Sequence, residues 1–540
     1  MTSIVPHIFG PLPGPIPLAY LDDNFKALQN NTTVSIAALR LLTSSGPGST
    51  TVQGYYSPGD GGGGNYYYDA TDTTSADNGG TIIVAADNSR WKLSNVFILS
   101  PRQFGAKGDG STFDDTAFTN LIAVANIVYL PPGQFKFQNT FTINGKNGLV
   151  IFGAGAAGVS SGTLYPNNST LVFDSAGSGN DGLVISNFVG LTLTDFVVSM
   201  NRGGSGGGKA LRIFGGHNLT ARNVVANSDA GTAGVGISLG NGNGATSVFT
   251  STLISCKSIT SNGGIAFESN VSNTSLNFIG CYAIHGYWSI NTLVYSTFSG
   301  CAADGVTGDG YVVTNSTGLT LNACGGESNT LGVFNFAGCA AIVLNSPFGT
   351  GNNTSGTTNH GDLIHLNSAS LGNSEITIIS PASVAPNAGT TASIYGTTNT
   401  GTVHVINAST SYVIKGFGGD STWMLNGLSI TGDAENIAFT PVLGSGWTNT
   451  GGAPTVTGIY NKKGKLITFT ITVTPITTVT GGAAAQMTLP WPVSQNTAAS
   501  VISNTTAFSD AVVTGAKIFL SQSTGSLSQA LTISGSVLLT

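Results

Sequence analysis

Between residues 149 and 408 the chain repeats one short pattern: an apolar residue, a variable one, a second apolar residue, two variable ones, then a small or apolar anchor. Leu149 and Ile151 precede Ala154 in this way, Leu191 and Leu193 precede Phe196, Leu276 and Phe278 precede Cys281, Leu319 and Leu321 precede Cys324, and Ile342 and Leu344 precede Pro347. Ile376 and Ile378 before Pro381, and Val403 and Val405 before Ala408, extend it, with weaker matches at Val224, Cys256 and Cys301. Apolar positions two apart read as a strand, and the closest anchors are 20 to 25 residues apart. A second element repeats out of phase: Gly236 with Ile237 and Leu239, Gly264 with Ile265 and Phe267, Tyr287 with Trp288 and Ile290, Gly310 with Tyr311 and Val313, and Gly332 with Val333. Its last three steps are 23, 23 and 22 residues. Such a period with several short strands per turn predicts an all-β parallel solenoid, whose stacked rungs share a core that no single rung can bury. The Leu/Asn consensus of a leucine-rich repeat is a poor fit.

Stacking in register places Cys256, Cys281, Cys301 and Cys324 in one inward column. Adjacent rungs lie ~4.8 Å apart, close enough for a disulfide, but parallel Cβ vectors do not give its dihedral angle. Free buried thiols are expected. An uncovered first rung is a template for aggregation, so a cap is expected upstream. Residues 114–125 supply a helix with Phe118, Leu121, Ile122 and Ala125 on one face and Asp114 as its expected N-cap.

Composition narrows the function classes. Only 8% of the 540 residues are charged, against about 25% in an ordinary soluble domain, which excludes a helical or coiled-coil protein. The net charge of −6 is spread thinly, and the basic residues form no run beyond Lys462, Lys463 and Lys465, so nucleic acid is not an expected partner. The first 25 residues hold no Lys or Arg and have prolines at 6, 11, 13, 15 and 17, which is not a signal peptide. Synthesis in a reducing cytoplasm is therefore expected. No apolar run approaches the ~18 residues of a membrane span. The five cysteines include no Cys-x-x-Cys pair, so neither metal nor other cofactor is expected. Gly153-Ala-Gly155-Ala-Ala-Gly158, with Asp174 further on, imitates a dinucleotide fingerprint. Gly162, Pro166 and Asn167-Asn168 leave no helix there to hold a pyrophosphate.

The segment Phe104-Gly-Ala-Lys-Gly-Asp-Gly110, followed by Asp114-Asp-Thr and then Val128-Tyr-Leu-Pro-Pro-Gly133, resembles the start of the pectate-lyase-like β-helix of bacteriophage tailspikes and capsule depolymerases. Residues 12–29, with Pro15-Ile-Pro-Leu18 and Leu21-Asp-Asp-Asn-Phe25, look like a virion-attachment leader. Gly54-Tyr-Tyr, Gly59-Asp-Gly-Gly-Gly-Gly64 and Arg90-Trp-Lys92 resemble the short domain before the helix in tailspikes, and Phe439-Thr-Pro through Lys463-Gly-Lys to Leu489-Pro490 looks like the β-sandwich tails of phage fibres. The resemblance implies a right-handed parallel β-helix and a homotrimer on the virion. It also implies attachment to the phage tail or baseplate through the N-terminus, and a bacterial surface polysaccharide as ligand. The expected domains are a leader at 1–50, a small β domain at 51–100, the β-helix at 101–432, and a C-terminal β-sandwich at 433–540 for trimerisation or carbohydrate binding.

Glycosidic hydrolysis needs two carboxylates, one to protonate the leaving oxygen and one to act as base or nucleophile. Asp304 and Glu327 each stand three residues after an anchor, Cys301 and Cys324. The alternation places both outward on neighbouring rungs. Asp309 is the third candidate acid, and His285, Tyr282, Tyr287 and Trp288 are candidate substrate contacts. As turn or core residues these same side chains would be structural: Asp309 sits in a Gly-Asp-Gly turn, and Trp288 aligns with core Ile265 and Val333. Asp229 and Glu268 are lesser candidates. A polysaccharide lyase would instead use Lys257, Tyr282 or His285 as base, and a binding spike would need neither chemistry.

Overall fold

The computed structural model describes residues 15–396 apart from 30, 45–47, 157–166, 175–179, 201–207, 229–233, 241–246, 261–262, 358–359, 368–372, 385–392; after 396 it describes only the strands and Pro441. Two compact units result, Met1–His365 with Ala382–Tyr395, and Leu366–Pro381 with Gly396–Thr540.

The first unit begins with a helix, Leu18–Gln29, and a five-stranded sheet between residues 32 and 93. Its glycine-rich loop is organised by one carboxylate. Asp60 accepts the backbone N–H groups of Tyr55, Tyr56, Ser57 and Gly62 at 2.7–3.0 Å. Burial opposes ionisation of Asp60, yet these four bonds hold its pKa below the ordinary value.

Three parallel sheets follow. The first runs from Ile127–Leu130 to Ala340–Asn345, the second from Asp109–Phe113 to Ala382–Val384, and the third from Phe141–Asn144 to Phe334–Ala337. The repeat predicted from sequence is the register observed: Leu149 pairs with Leu191 and Leu191 with Leu219, while Phe278 pairs with Phe298, which pairs with Leu321, which pairs with Leu344. Between the first and second sheets the chain turns through a left-handed residue just before each anchor: Asp195, Asn223, Ser255, Gly280, Gly300, Ala323 and Ser346 all have φ between +47° and +60°. The short polar residues and glycines of this column are those that tolerate that conformation best. Each turn aims its anchor inward. Cys256, Cys281, Cys301 and Cys324 are at most 1% exposed and unpaired with each other. The thiols of Cys256, Cys281 and Cys301 donate to carbonyls of the preceding rung, Cys281 to Leu253 at 3.4 Å and Cys301 to Phe278 at 3.5 Å, while Cys324 donates to Asn322 in its own rung. Cys339, the fifth, is also buried, which pushes its pKa up to about 11.

A second interior column is aromatic. Phe267, Trp288, Tyr311 and Phe334 stack on successive rungs with centroids 4.0, 5.5 and 4.8 Å apart. A third is amide: Asn329 and Asn352, at most 2% exposed, satisfy turn backbone that would otherwise be buried unpaired. Asn329 Oδ1 accepts Val306 N–H at 2.9 Å and Asn352 Oδ1 accepts Asn329 N–H at 3.0 Å.

The cap is the helix Asp115–Val124, with Phe118, Leu121 and Ile122 buried. Phe118 meets Phe135, Phe137 and Phe141 edge-on at 4.9–5.9 Å. Asp114 differs from expectation, because its side chain does not cap the helix. It accepts instead the N–H groups of Lys107 and Gly108 at 2.7 and 3.1 Å, fastening the Phe104–Gly110 loop to the helix start. Burial raises its pKa against those bonds. Gly105, at φ +90°, closes the short turn Pro101–Phe104, where a side chain would meet the Tyr55 ring at 2.8 Å.

In the second unit Ser374–Ile379, Gly401–Ile406 and Ser421–Leu425 pair in parallel. A nine-stranded antiparallel sheet lies between Ile437–Phe439 and Leu531–Leu538, with a separate three-stranded one. Among its described side chains, Phe469, Ile471, Val473 and Ile533 are buried.

Candidate functional site

The second sheet exposes two columns of side chains on its outer face, one and three residues after each anchor. The first reads Lys257, Tyr282, Ala302, Gly325 and Phe348, and the second reads Ile259, Ile284, Asp304, Glu327 and Thr350. Asp304 and Glu327 are therefore direct neighbours on adjacent rungs. Tyr282 and Phe348 stand as aromatic walls three rungs apart, ~14 Å at the usual strand spacing, and between them only Ala302 and Gly325 floor the sheet. Gly325 is needed there, since a Cβ would lie 2.6 Å from the Phe348 carbonyl oxygen. The result is a shallow notch with an aromatic wall at each end and two carboxylates along one side.

Hydrogen bonds fix one of the acids. Asp304 Oδ1 accepts the Glu327 backbone N–H at 2.9 Å, and Oδ2 accepts the Tyr282 hydroxyl. Burial and the Asp304 carboxylate, with Glu327 beyond, push the Tyr282 pKa up to about 12, so the phenol keeps its proton and serves as a donor. Glu327 is exposed. His285 follows Ile284 in the left-handed conformation, φ +61°. Its N–H donates to the Asp304 carbonyl at 2.9 Å, and its imidazole reaches within 3.1 Å of where a Gly305 Cβ would stand. The corner column His285, Gly305, Ser328 and Gly351 is left-handed throughout, which turns the exposed imidazole to the rim of the notch.

Three candidates lie elsewhere. Trp288 is a core residue, 0% exposed. It stacks in the aromatic ladder with its Nε1–H donated to the Ala302 carbonyl at 3.1 Å, so it cannot touch a glycan. Asp309 is 5% exposed. It accepts Gly332 N–H at 2.9 Å and the Asn335 amide at 2.8 Å, and pairs with His360 Nε2 at 3.2 Å, so it ties its own rung to the next two from inside. Tyr287 belongs to the third sheet, where burial and then Glu268 raise its pKa. Glu268 itself pairs with Lys209 and accepts the Ser238 hydroxyl at 2.5 Å. Asp229 lies outside the described residues. Sequence reasoning missed Phe348 and Gly325, although the position one after each anchor, already occupied by Tyr282, would have found both.

Residues 32–96 match the phage tail protein small four-stranded β-sheet domain, and residues 98–307 match the rhamnogalacturonase A/epimerase, pectate-lyase-like family. The first match places a phage tail domain ahead of the solenoid, and the second covers the cap and the first rungs of a pectate-lyase-like β-helix. In solved structures the fold recurs in tailspike protein 2 of an Escherichia coli O157:H7 bacteriophage, with TM-score 0.57 and 15% identity over 96% of this chain and 73% of that one. It recurs also in a tailspike of an Acinetobacter phage, with TM-score 0.50 and 14% identity over 92% and 93%. The pre-neck appendage protein of Bacillus phage B103 is 33% identical over 95 residues, 17% of this chain and 11% of that protein, so the chain spans a small part of that relative. The chain shares with these tailspikes an all-β, right-handed parallel β-helix fold.

Proposed function

We propose that this tailspike binds a bacterial surface polysaccharide along the outer face of the second sheet and hydrolyses it with Asp304 and Glu327. The observation that carries the reading is the pairing of these two residues on adjacent rungs, beside a notch walled by Tyr282 and Phe348. Asp304, with a donor on each oxygen, suits the carboxylate role: it would activate water or attack the anomeric carbon. Glu327, free at the surface, would protonate the departing glycosidic oxygen and lose that proton to it. Separations of ~5–5.5 Å serve retention and ~6.5–9.5 Å inversion, and the anomeric configuration of the product reads out which applies. Tyr282 would steady Asp304 and face the sugar, with His285 at the rim. The leader through residue 50 would attach the spike to the phage tail, as a virion component, and residues 433–540 would trimerise it or bind carbohydrate.

Elimination is the second reading, favoured by the pectate-lyase-like match. A tyrosine base is disfavoured by the raised Tyr282 pKa, which leaves His285 or Lys257. The test is to incubate the protein with purified capsular polysaccharides and lipopolysaccharides. New reducing ends without ultraviolet absorbance support hydrolysis, an absorbing unsaturated product means a lyase, and neither means a binding spike. Asp304→Asn and Glu327→Gln are expected to abolish cleavage and leave polysaccharide binding intact. Full activity in both variants excludes the pair.

A further inference from the structure

The three outer faces of the β-helix differ in charge. The second sheet carries Lys257, Asp304 and Glu327, and the third carries Arg212 and Glu268 with their partners Asp181 and Lys209. The first sheet is different. One of its outward columns reads Thr192, Thr220, Thr252, Asn277, Thr297 and Thr320 on successive rungs. The column two residues further along each strand runs from Phe152 to Asn345 and has Arg222 as its one charged member among the described residues, already paired with Asp195. At the start of the strands a third column is left-handed: Gly190, Asn218, Ser275, Tyr295 and Gly318 have φ between +48° and +69°. Glycine and short polar residues suit that backbone, whereas a tyrosine is strained in it. Tyr295 gains little within its own chain, since it is 73% exposed. A strained residue persists where it serves a contact, and an exposed tyrosine is a common anchor between proteins.

We infer that the outer face of the first sheet is the contact between copies of this chain, anchored by Tyr295, and that the notch on the second sheet is thereby left open to solvent on every copy. The size of the face agrees. Its nine strands from Ile127–Leu130 to Ala340–Asn345 span ~38 Å at ~4.8 Å per rung and ~20 Å across at ~3.3 Å per residue, roughly 750 Å², and a stable interface takes ~800 Å² from each partner. Covering it strips water from almost no charge, which either of the other two faces would require. Its threonine and asparagine side chains recur rung by rung, and a second solenoid of the same chain presents side chains at that same spacing over the whole length. This contact stands apart from the hydrolase reading.

Hydroxyl-radical footprinting of the purified full-length protein reads the face directly. Phe249 on the first sheet and Phe348 on the second are 39% and 38% exposed, so in a lone chain the two rings react alike. In the assembled protein Phe249 is expected to react ~10-fold more slowly than Phe348, because the middle of an interface excludes water. Thr252→Lys combined with Thr297→Lys puts charge into the face and is expected to restore equal rates with circular dichroism unaltered, whereas Val312→Lys on the third sheet leaves the ratio as it was. Tyr295→Gly suits the left-handed backbone, so it keeps the fold and is expected to raise Phe249 reactivity as well. Equal rates for the two rings in the unaltered protein, protection of both, or protection of Phe249 that persists in both first-sheet variants overturns the inference. Protection of Phe249 only after polysaccharide is added overturns it too and makes the face a glycan site. None of these outcomes bears on cleavage by Asp304 and Glu327, which the reducing-end assay tests separately.

Discussion

His365 offers the sharpest physical test of this β-helix. The residue is 8% exposed. Its ring meets His360 edge-on at 4.1 Å and Tyr395 at 5.6 Å, and neither ring nitrogen has a hydrogen-bond partner. Burial, and then the neighbouring His360, depress its pKa to about 4 from an ordinary 6.5. Because the folded value lies below the unfolded one, the stability that neutral His365 allows is complete above pH 6.5 and drains away as pH falls toward 4. At ~1.36 kcal/mol per unit, moving from pH 7 to 4.5 costs roughly 2–3 kcal/mol, a ~60-fold change in the local opening equilibrium. His360 works in the opposite sense: burial lowers its pKa, but Asp309 outweighs burial and raises it, so its contribution is present at low pH and lost as pH rises through the raised value. Buried Asp362 has a raised pKa too, despite the Ser383 hydroxyl at 2.6 Å. It therefore also favours the fold at low pH. Comparing unaltered protein with His365→Leu cancels these other groups. Hydrogen exchange of peptides spanning residues 360–367, corrected for the intrinsic pH dependence of exchange, reads the opening equilibrium. The unaltered protein is expected to lose ~60-fold more protection than the variant between pH 7 and 4.5. Equal pH slopes in the two proteins would refute the argument.

Two further outcomes test the fold and its assembly. The five buried thiols are expected to resist maleimide in the native protein and to react together on unfolding, followed by mass spectrometry; rapid labelling of several thiols at neutral pH contradicts the inward column. We also propose that the full-length chain is a homotrimer that survives mild detergent, its sparsely charged faces burying one another. Light scattering is expected to give three times the chain mass, and a monomer counts against the proposal.

Much of this molecule could be read from residue order because a solenoid is close to one-dimensional: each rung touches only its neighbours, so a spacing in sequence becomes a spacing in space. The alternation after Cys301 and Cys324 was enough to put Asp304 and Glu327 side by side, and the same count would have added Phe348. Tertiary structure decided whatever depended on direction across a corner. Asp114 carries the signature of a helix cap, yet its carboxylate turns back to the Lys107 and Gly108 N–H groups, donors that the folded loop brings to it from seven and six residues earlier. Asp309 reads as a surface turn residue, but it is drawn inside by Gly332, Asn335 and His360, which lie 23 to 51 residues later and share no local pattern with it. Tyr287 and Trp288 adjoin His285 in sequence and still leave the notch, since the corner at His285 and Gly286 passes the chain to the third sheet. Period-two alternation determines whether a side chain faces in or out of its own sheet; which sheet it belongs to, and which buried donors await it there, is set by turns and contacts between rungs that residue order alone does not encode.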